Sequence, residues 1–278
     1  MFGFLIKKAF FDMWDNLFRV ILLNLGFIGV LGIAVSIPYV GRYLTFVPQA
    51  LLLFLMIAVS LGLFFVFCGA ASGVAMGIAD YEEPGFKEFF RYLKQTYRAS
   101  LIFALINAGV FFLLSLAMPF YLSMKSIVGP LAFAFLFWLG VIWVASIQFY
   151  FPLQSQSRFD PSMRVDTDPK VERGSLLKKN IKKIFLIFFD NTGFCVGVSL
   201  GTALIFALST FTALMLPGIA TILIWVNVAL KLRLLKYDYL EEHPEANRKK
   251  IPWSALLVEE RERVGKRSLK GMIFPWKE

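Results

Sequence analysis

The sequence predicts an all-α, polytopic membrane protein with six transmembrane helices arranged as three hairpins. Hydrophobic residues make up 58% of its 278 residues and charged residues 17%, whereas soluble domains average roughly 45–50% and about 25%. Six apolar stretches are each long enough for a helix that crosses a bilayer, which needs about 20 residues. They cover residues 17–40, 48–79, 99–121, 127–152, 192–214 and 218–236.

Each hairpin is predicted to begin with an amphipathic helix that lies in the membrane interface. In these lead-in segments, at about residues 2–17, 86–98 and 177–188, apolar residues recur at i, i+3, i+4 and i+7 between basic residues. This pattern is typical of a helix that lies along a membrane surface. In the first segment the charged residues are expected to point away from the apolar face: Lys7, Lys8, Asp12 and Asp15.

The chain contains an internal repeat, in which residues 8–26 and 183–201 follow the same pattern. In both copies a basic, aromatic segment leads to an Asp-Asn step and then to a span: Asp15-Asn16 and Asp190-Asn191. The step is predicted to be an elbow, whose side chains cap free N–H groups of the spanning helix. An alternative is a cytoplasm-facing site for a cation or a substrate amine, in which the repeat brings both carboxylates together.

Charge placement predicts that both termini are cytoplasmic. Of the 29 Lys and Arg residues, all except Arg42 and Lys125 fall on one side of the predicted membrane, together with all 19 acidic residues. Cytoplasmic loops are rich in Lys and Arg. The predicted domains are a six-helix transmembrane domain at 1–237 and a basic cytoplasmic tail at 238–278, with hairpin units at about 1–79, 80–152 and 176–237.

Two glycine runs with GxxxGxxxG spacing are predicted to pack helices against each other. Small residues on one stripe let helix backbones approach closely, which favours association in lipid. The prediction is packing within the chain, and the alternative is a contact with a second copy. The glycines lie in the second and fifth spans: Gly69, Gly73, Gly77, Gly193, Gly197 and Gly201.

Asparagines inside the spans are the remaining polar candidates. Asn24, Asn107 and Asn227 lie in three different apolar stretches. Hydrogen bonding between helices is their predicted role, and the alternative is that they line a narrow polar path. Because no acidic residue lies near a predicted midplane, the sequence argues against a proton-coupled carrier with a carboxylate relay.

The sequence predicts neither an enzyme nor a metal or cofactor site. It contains no HExxH motif, no Gly-rich phosphate loop and no nucleophile paired with a base. Its one histidine is His243, and Cys68 and Cys195 lie in apolar stretches as expected for buried thiols. The net charge of +10 favours orientation and binding to anionic lipid head groups over nucleic acid, since no recognition motif accompanies it.

Three short motifs resemble the YesL-like family of small bacterial integral membrane proteins of unknown biochemical function. They are AASGVAMGIA at 70–79, EPGFKEFF at 83–90 and YRASL at 97–101, and the stretch 225–237 is similar too. The resemblance covers about residues 8–237. It implies a multi-pass protein of the bacterial cytoplasmic (inner) membrane, often associated by genome context with carbohydrate uptake. The family defines no catalytic residues.

The leading functional hypothesis is a non-enzymatic accessory or regulatory partner of another membrane system. Its partner would be a membrane transporter or a second copy of the chain. The alternatives are a small transporter or channel for a solute, and a lipid-handling protein. In the tail, a short helix near Ser254 is predicted to carry a solvated charged face with the acids Glu259, Glu260 and Glu262.

Overall fold

The computed structural model describes residues 1–41, 43, 48–159, 172–248, 250–265 and 267. These residues form α-helices and contain no strand. The helices are α1 Phe2–Asp15, α2 Leu17–Gly41, α3 Gln49–Ala79, α4 Phe86–Ser123, α5 Val128–Ile147, α6 Tyr150–Phe159, α7 Glu172–Asp190, α8 Thr192–Phe211, α9 Gly218–Glu242, α10 Trp253–Leu256 and α11 Val258–Val264. Residues 160–171 of the basic loop predicted between the fourth and fifth spans, and the tail beyond Arg267, lie outside the described residues.

Six helical segments are long and apolar enough to cross a membrane, so the chain is a multi-pass membrane protein. They correspond to α2, α3, α4, α5 continued into α6, α8 and α9. The two Asp-Asn steps are helix junctions, because α1 ends at Asp15 and α7 ends at Asp190 while the next helices begin two residues later.

The second lead-in differs from its prediction, because α4 continues without a break from Phe86 to Ser123. Helix-compatible Arg98 and Ala99 stand where the other copies have the Asp-Asn step, so nothing in the sequence interrupts the helix. Pro119 also lies inside α4. Proline is tolerated within membrane helices because neighbouring helices, Ser or Thr side chains and local backbone adjustments satisfy the carbonyl that it frees.

Helix α9 is the central helix of the bundle. It packs against α1, α2, α3, α6 and α8. In its most apolar window 72% of the residues are buried, against 22% or less in the other five segments. Consecutive spans contact each other, but the most extensive helix pair is α3 with α4, which belong to different predicted hairpin units.

The glycine stripe of α3 explains its close contact with α4. A Cβ atom at Gly69 would collide with the Ser100 hydroxyl, and one at Gly73 would lie 2.7 Å from the Tyr92 ring. A Cβ at Gly77 would meet the loop that leads to α4. Each glycine thus admits a side chain of the neighbouring segment.

The glycines of α8 divide into two kinds. A Cβ at Gly197 would lie 2.9 Å from the Phe2 ring, and one at Gly201 would lie 2.5 Å from the Trp225 ring. A Cβ at Gly193 would have nothing within 4 Å. Gly197 and Gly201 therefore admit aromatic rings of α1 and α9, whereas Gly193 is not a packing position within the described chain.

Candidate functional site

One end of the bundle, here called the charged end, concentrates buried and half-buried ionisable side chains. It is formed by α1, the residues that follow α3, the second half of α9, and α11. We call its central cluster the Glu260 network: Lys8, Asp12, Asp80, Tyr81, Lys231 and Glu260. Ionisable groups buried beside apolar spans are candidates for function, because their burial is costly without partners.

Lys231 of α9 joins α3 to the tail. Its Nζ atom lies 2.8 Å from Asp80 Oδ1 and 2.9 Å from Glu260 Oε1. The same ammonium group donates to the Ala79 carbonyl oxygen at 3.2 Å. The Tyr81 hydroxyl donates to the other Glu260 oxygen at 2.8 Å. Both oxygens of the Glu260 carboxylate are therefore occupied.

Lys8 and Asp12 point inward, so the expectation that they face away from the packed side of α1 is wrong. Lys8 is 1% exposed and Asp12 is 6% exposed. The Lys8 Nζ atom lies 3.0 Å from Asp12 Oδ2, 3.8 Å from Glu260 Oε2 and 3.6 Å from the Tyr81 ring centroid. Lys8 and Asp12 are therefore covered by an ion network instead of by water, and a cation over an aromatic ring is stabilising there.

Burial and charge act against each other on these groups. Burial raises the pKa of Asp12 to about 6 although Lys8 opposes the shift, and burial lowers the pKa of Lys8. Burial alone would also raise the pKa of Glu260, but Lys231, Tyr81 and Lys8 outweigh it and hold that pKa below its ordinary value. Glu260 therefore keeps its negative charge to lower pH than Asp12 does. As the pH falls, Asp12 is the carboxylate that takes up a proton first.

We expect Asp12→Asn to remove a pH dependence of stability between about pH 4 and about pH 6. The pKa of Asp12 in the folded chain, about 6, exceeds its ordinary 3.8, so in this window the folded chain binds more protons than the unfolded one. Stability contributed by this group falls as pH rises, by up to about 3 kcal/mol. The measurement is thermal unfolding in detergent at a series of pH values for both proteins.

The matched control is Glu262→Gln, which changes an exposed acid on the same charged end. The difference between its unfolding midpoint and that of the unchanged protein should stay constant across this pH window. Glu260, whose pKa is lowered, loses its stabilising contribution only at lower pH, which has the opposite sign. A constant midpoint difference between Asp12→Asn and the unchanged protein from pH 4 to 7 would contradict the assignment.

Helices α10 and α11 dock on the charged end, so the tail acids do not form one solvated face. Leu257 and Val264 are buried, with 0% and 1% exposure. Lys7 Nζ donates to the Gly265 carbonyl at 3.0 Å. Glu260 faces inward between them, and the outer face of α11 leaves four alternating charges exposed: Glu259, Arg261, Glu262 and Arg263. Sequence reasoning missed Glu260 because its neighbours on both sides are solvated.

Asp190 and Asn191 bind the second half of α9. Asp190 Oδ2 lies 2.7 Å from Lys236 Nζ and accepts a hydrogen bond from the Tyr237 hydroxyl at 3.0 Å. Burial would raise the pKa of Asp190, but Lys236 and Tyr237 outweigh it and lower that pKa. Asn191 Oδ1 accepts from Lys236 at 2.8 Å and from Arg233 at 3.1 Å. This cluster ties the α7–α8 junction to the central helix.

The two repeat carboxylates do not form one site. Asp15 is paired with Arg267, whose Nη1 lies 2.9 Å from both carboxylate oxygens. Asp190 is paired instead with Lys236 and Tyr237 of α9. The two asparagines also do not perform the predicted capping role. Asn191 makes no side-chain cap bond to α8, and Asn16 and Asn191 both donate back to carbonyls of the preceding helix.

The span asparagines are bonded to protein groups. Asn24, 0% exposed, donates to the carbonyls of Met215 at 2.8 Å and Pro217 at 2.9 Å and accepts from the Ala220 N–H at 2.9 Å. It holds the α8–α9 turn. Asn107 accepts from the Trp143 indole at 2.9 Å, and Asn227 Nδ2 lies 3.2 Å from the Ser72 hydroxyl. Interhelical bonding is thus what Asn24, Asn107 and Asn227 do here.

A cavity of about 420 Å³ lies between α2, α3, α5, α8 and α9. Most of its lining is apolar, with a polar stripe from Gln148, Ser199, Thr202 and Ser209. The Thr202 hydroxyl is buried and has no hydrogen-bond partner among the described residues. This stripe is a second place where a polar ligand could meet the bundle.

The described side chains contain no group of three or more His, Cys, Asp or Glu that could hold a metal ion. What the charged end can do is hold a terminal helix in place through ion pairs and present that helix's outer face. The charged end is therefore a surface on which α11 docks. Comparison of the chain with protein-family models, with curated proteins and with solved structures finds no match.

Proposed function

We propose that this chain is a non-enzymatic accessory or regulatory partner of another protein in the bacterial cytoplasmic membrane, and that α11 is its contact element. The observation that carries the proposal is the docking of α11 by the carboxylate of Glu260, whose side chain is 12% exposed. This docking leaves a rigid outer face of alternating charges. A contact element that is already ordered loses less conformational entropy on binding, and alternating charges give specificity more than bulk affinity.

The orientation belongs to the same proposal. The charged end is placed at the cytoplasm, because nearly all Lys and Arg of the chain fall on that side. Four exposed lysines of α7 would then meet anionic lipid head groups: Lys178, Lys179, Lys182 and Lys183. The proposed topology is still three hairpins formed by the six spans. The YesL-like resemblance supports a bacterial membrane protein, and its carbohydrate-uptake association suggests a sugar transporter as partner.

The test is site-specific photo-crosslinking in native membranes, with the crosslinker at Arg261 or Glu262 on the outer face of α11. We expect one discrete membrane-protein adduct from these positions and none from lipid-facing Leu204 or Phe211. Glu260→Gln should reduce the adduct at least about fivefold, since it removes the carboxylate that bridges Lys231 and Tyr81.

The control for that substitution is Glu242→Gln, an exposed acid at the end of α9, which should leave the adduct unchanged. The proposal is wrong if the α11 positions give no adduct and the pure protein moves solute in liposomes. If Glu260→Gln leaves the adduct intact, binding of the partner does not depend on the docking of α11.

A small transporter or channel is the second candidate, and the unpaired Thr202 hydroxyl in the 420 Å³ cavity favours it. A buried hydroxyl without a partner is available to a polar solute. Flux in proteoliposomes that is lost in Thr202→Val and kept in Thr210→Val, an exposed threonine of the same helix, would support this candidate over the first.

A further inference from the structure

A groove of about 280 Å³ runs between the start of α2, the middle of α3 and the start of α4. Its wall is formed by Phe67 and Val74, which are buried beneath it. Two largely exposed aromatic residues, Phe18 and Phe86, form its rim. The groove therefore lies on the outside of the bundle, where the surrounding bilayer has access to it.

One end of this groove carries paired charges. Arg19 lines it and its Nη2 atom lies 3.2 Å from Glu83 Oε2. The Arg19 side chain is 32% exposed and that of Glu83 is 84% exposed, so both heads are accessible. Pro84 and Gly85, which follow Glu83 in the chain, line the same end.

The other end is apolar and lies deeper along α2. Leu22, Leu23 and Gly26 continue the lining from Arg19, and seven helical residues correspond to about 10 Å. A Cβ atom at Gly26 would lie 3.1 Å from the Phe67 ring. Glycine at this position therefore keeps the deep end of the groove open.

We propose that this groove binds one phospholipid whose zwitterionic head group carries a primary amine. The phosphate binds the Arg19 guanidinium, the ammonium group binds Glu83, and the upper part of an acyl chain lies along Leu23 and Gly26 against Phe67. Charge selects this head group. Glu82 and Glu88 lie close to the same loop, so a net anionic head group would meet repulsion from their carboxylates.

The amine is selected for the same reason. A primary ammonium group donates hydrogen bonds to a carboxylate, and such charge-assisted bonds are about twice as strong as neutral ones. A quaternary amine has no N–H to donate. The groove therefore distinguishes two zwitterionic lipids that share the same phosphate and the same chains. The inference does not rest on the role proposed for α11.

The test is native mass spectrometry of the purified protein after equilibration with equal amounts of phosphatidylethanolamine, phosphatidylcholine and phosphatidylglycerol. We expect one retained phosphatidylethanolamine. Arg19→Gln should reduce that retention about tenfold or more. Arg91→Gln, which changes an exposed arginine of α4 outside the groove lining, should leave retention unchanged.

Glu83→Gln supplies the selectivity test and cannot disturb the core, because Glu83 is largely exposed. It should keep a bound phospholipid but lose the preference for the primary amine. Equal retention of all three lipids by the unchanged protein would overturn the proposal. So would retention of phosphatidylethanolamine by Arg19→Gln at the level of Arg91→Gln.

Discussion

Replacing Asn24 with alanine is expected to lower the free energy of unfolding by about 3 kcal/mol or more and to open the α8–α9 turn. The substitution leaves the carbonyl oxygen of Met215 and the N–H of Ala220 without the Asn24 partner they have now. The Pro217 carbonyl also loses Asn24 but keeps the Thr221 hydroxyl. Each buried polar group left unpaired costs about 1–3 kcal/mol, and the surrounding apolar helices offer no replacement.

The backbone of this turn depends on Asn24 for a second reason. Ala213 and Leu214 have φ angles of 50° and 65°, and Gly218 has a φ of 70°. Left-handed conformations are strained for residues other than glycine, so hydrogen bonds must hold the turn against that strain. Asn24 supplies three of them, beside those from Ser209 at the end of α8. A Cβ atom at Gly218 would also collide with the Asn24 amide.

Thermal unfolding in detergent and hydrogen exchange across residues 212–222 measure the effect. Asn107→Ala is the matched control, because Asn107 is equally buried but makes only one of its two side-chain bonds to another helix. It accepts from the Trp143 indole and donates to the Phe103 carbonyl of its own helix. Its loss should be about 1 kcal/mol and should leave exchange in the turn unchanged. Equal destabilisation by both substitutions, with the turn still protected in Asn24→Ala, would show that Asn24 does not hold it.

Replacing Lys231 with methionine is expected to release α11 from the charged end and to destabilise the fold by about 2–3 kcal/mol. Methionine keeps most of the side-chain length but leaves the carboxylates of Asp80 and Glu260 facing each other without a cation between them. Breaking a buried ion pair on one side costs about 3–5 kcal/mol, and partial solvent access at this site reduces the figure.

Limited trypsin digestion detects the released helix, because Arg261 and Arg263 become cleavable once α11 leaves the bundle. We expect cleavage at these sites to be about tenfold faster in Lys231→Met. Lys236→Met removes the ion pair with Asp190 and leaves the contacts of α11 in place, so cleavage within α11 should match the unchanged protein. Identical digestion of all three proteins would mean that Leu257 and Val264 hold α11 without the ion pairs.

The six membrane-spanning segments could be predicted from the sequence because long apolar runs have few alternatives. The Asp-Asn junctions could be predicted because the repeat placed the same step before two spans. The continuous α4 could not, because hydrophobic periodicity describes which residues share a face and is silent on whether one helix continues into the next. Pro119 does not mark the end of α4 either, since proline is tolerated within membrane helices.

The Glu260 network could not be predicted from the pattern of α1. The periodicity of Lys8 and Asp12 gives the same amphipathic helix whether water or buried ions cover its polar side. A signal was nevertheless present at the other partner. Lys231 lies within the last predicted span, 218–236, and a cation within a span needs a counterion.

The residues that meet at the charged end lie far apart along the chain, and this separation has a consequence for biogenesis. The hydrogen bond from Lys7 to Gly265 joins residues 258 positions apart. At about 5–20 residues per second of synthesis, α1 waits roughly 12–50 s for α11 to be translated. Throughout that interval Lys8 has Asp12 as its partner but not Glu260. Closure of the network therefore marks a polypeptide translated through Val264, and truncated products would display an incomplete charged end to cellular quality control.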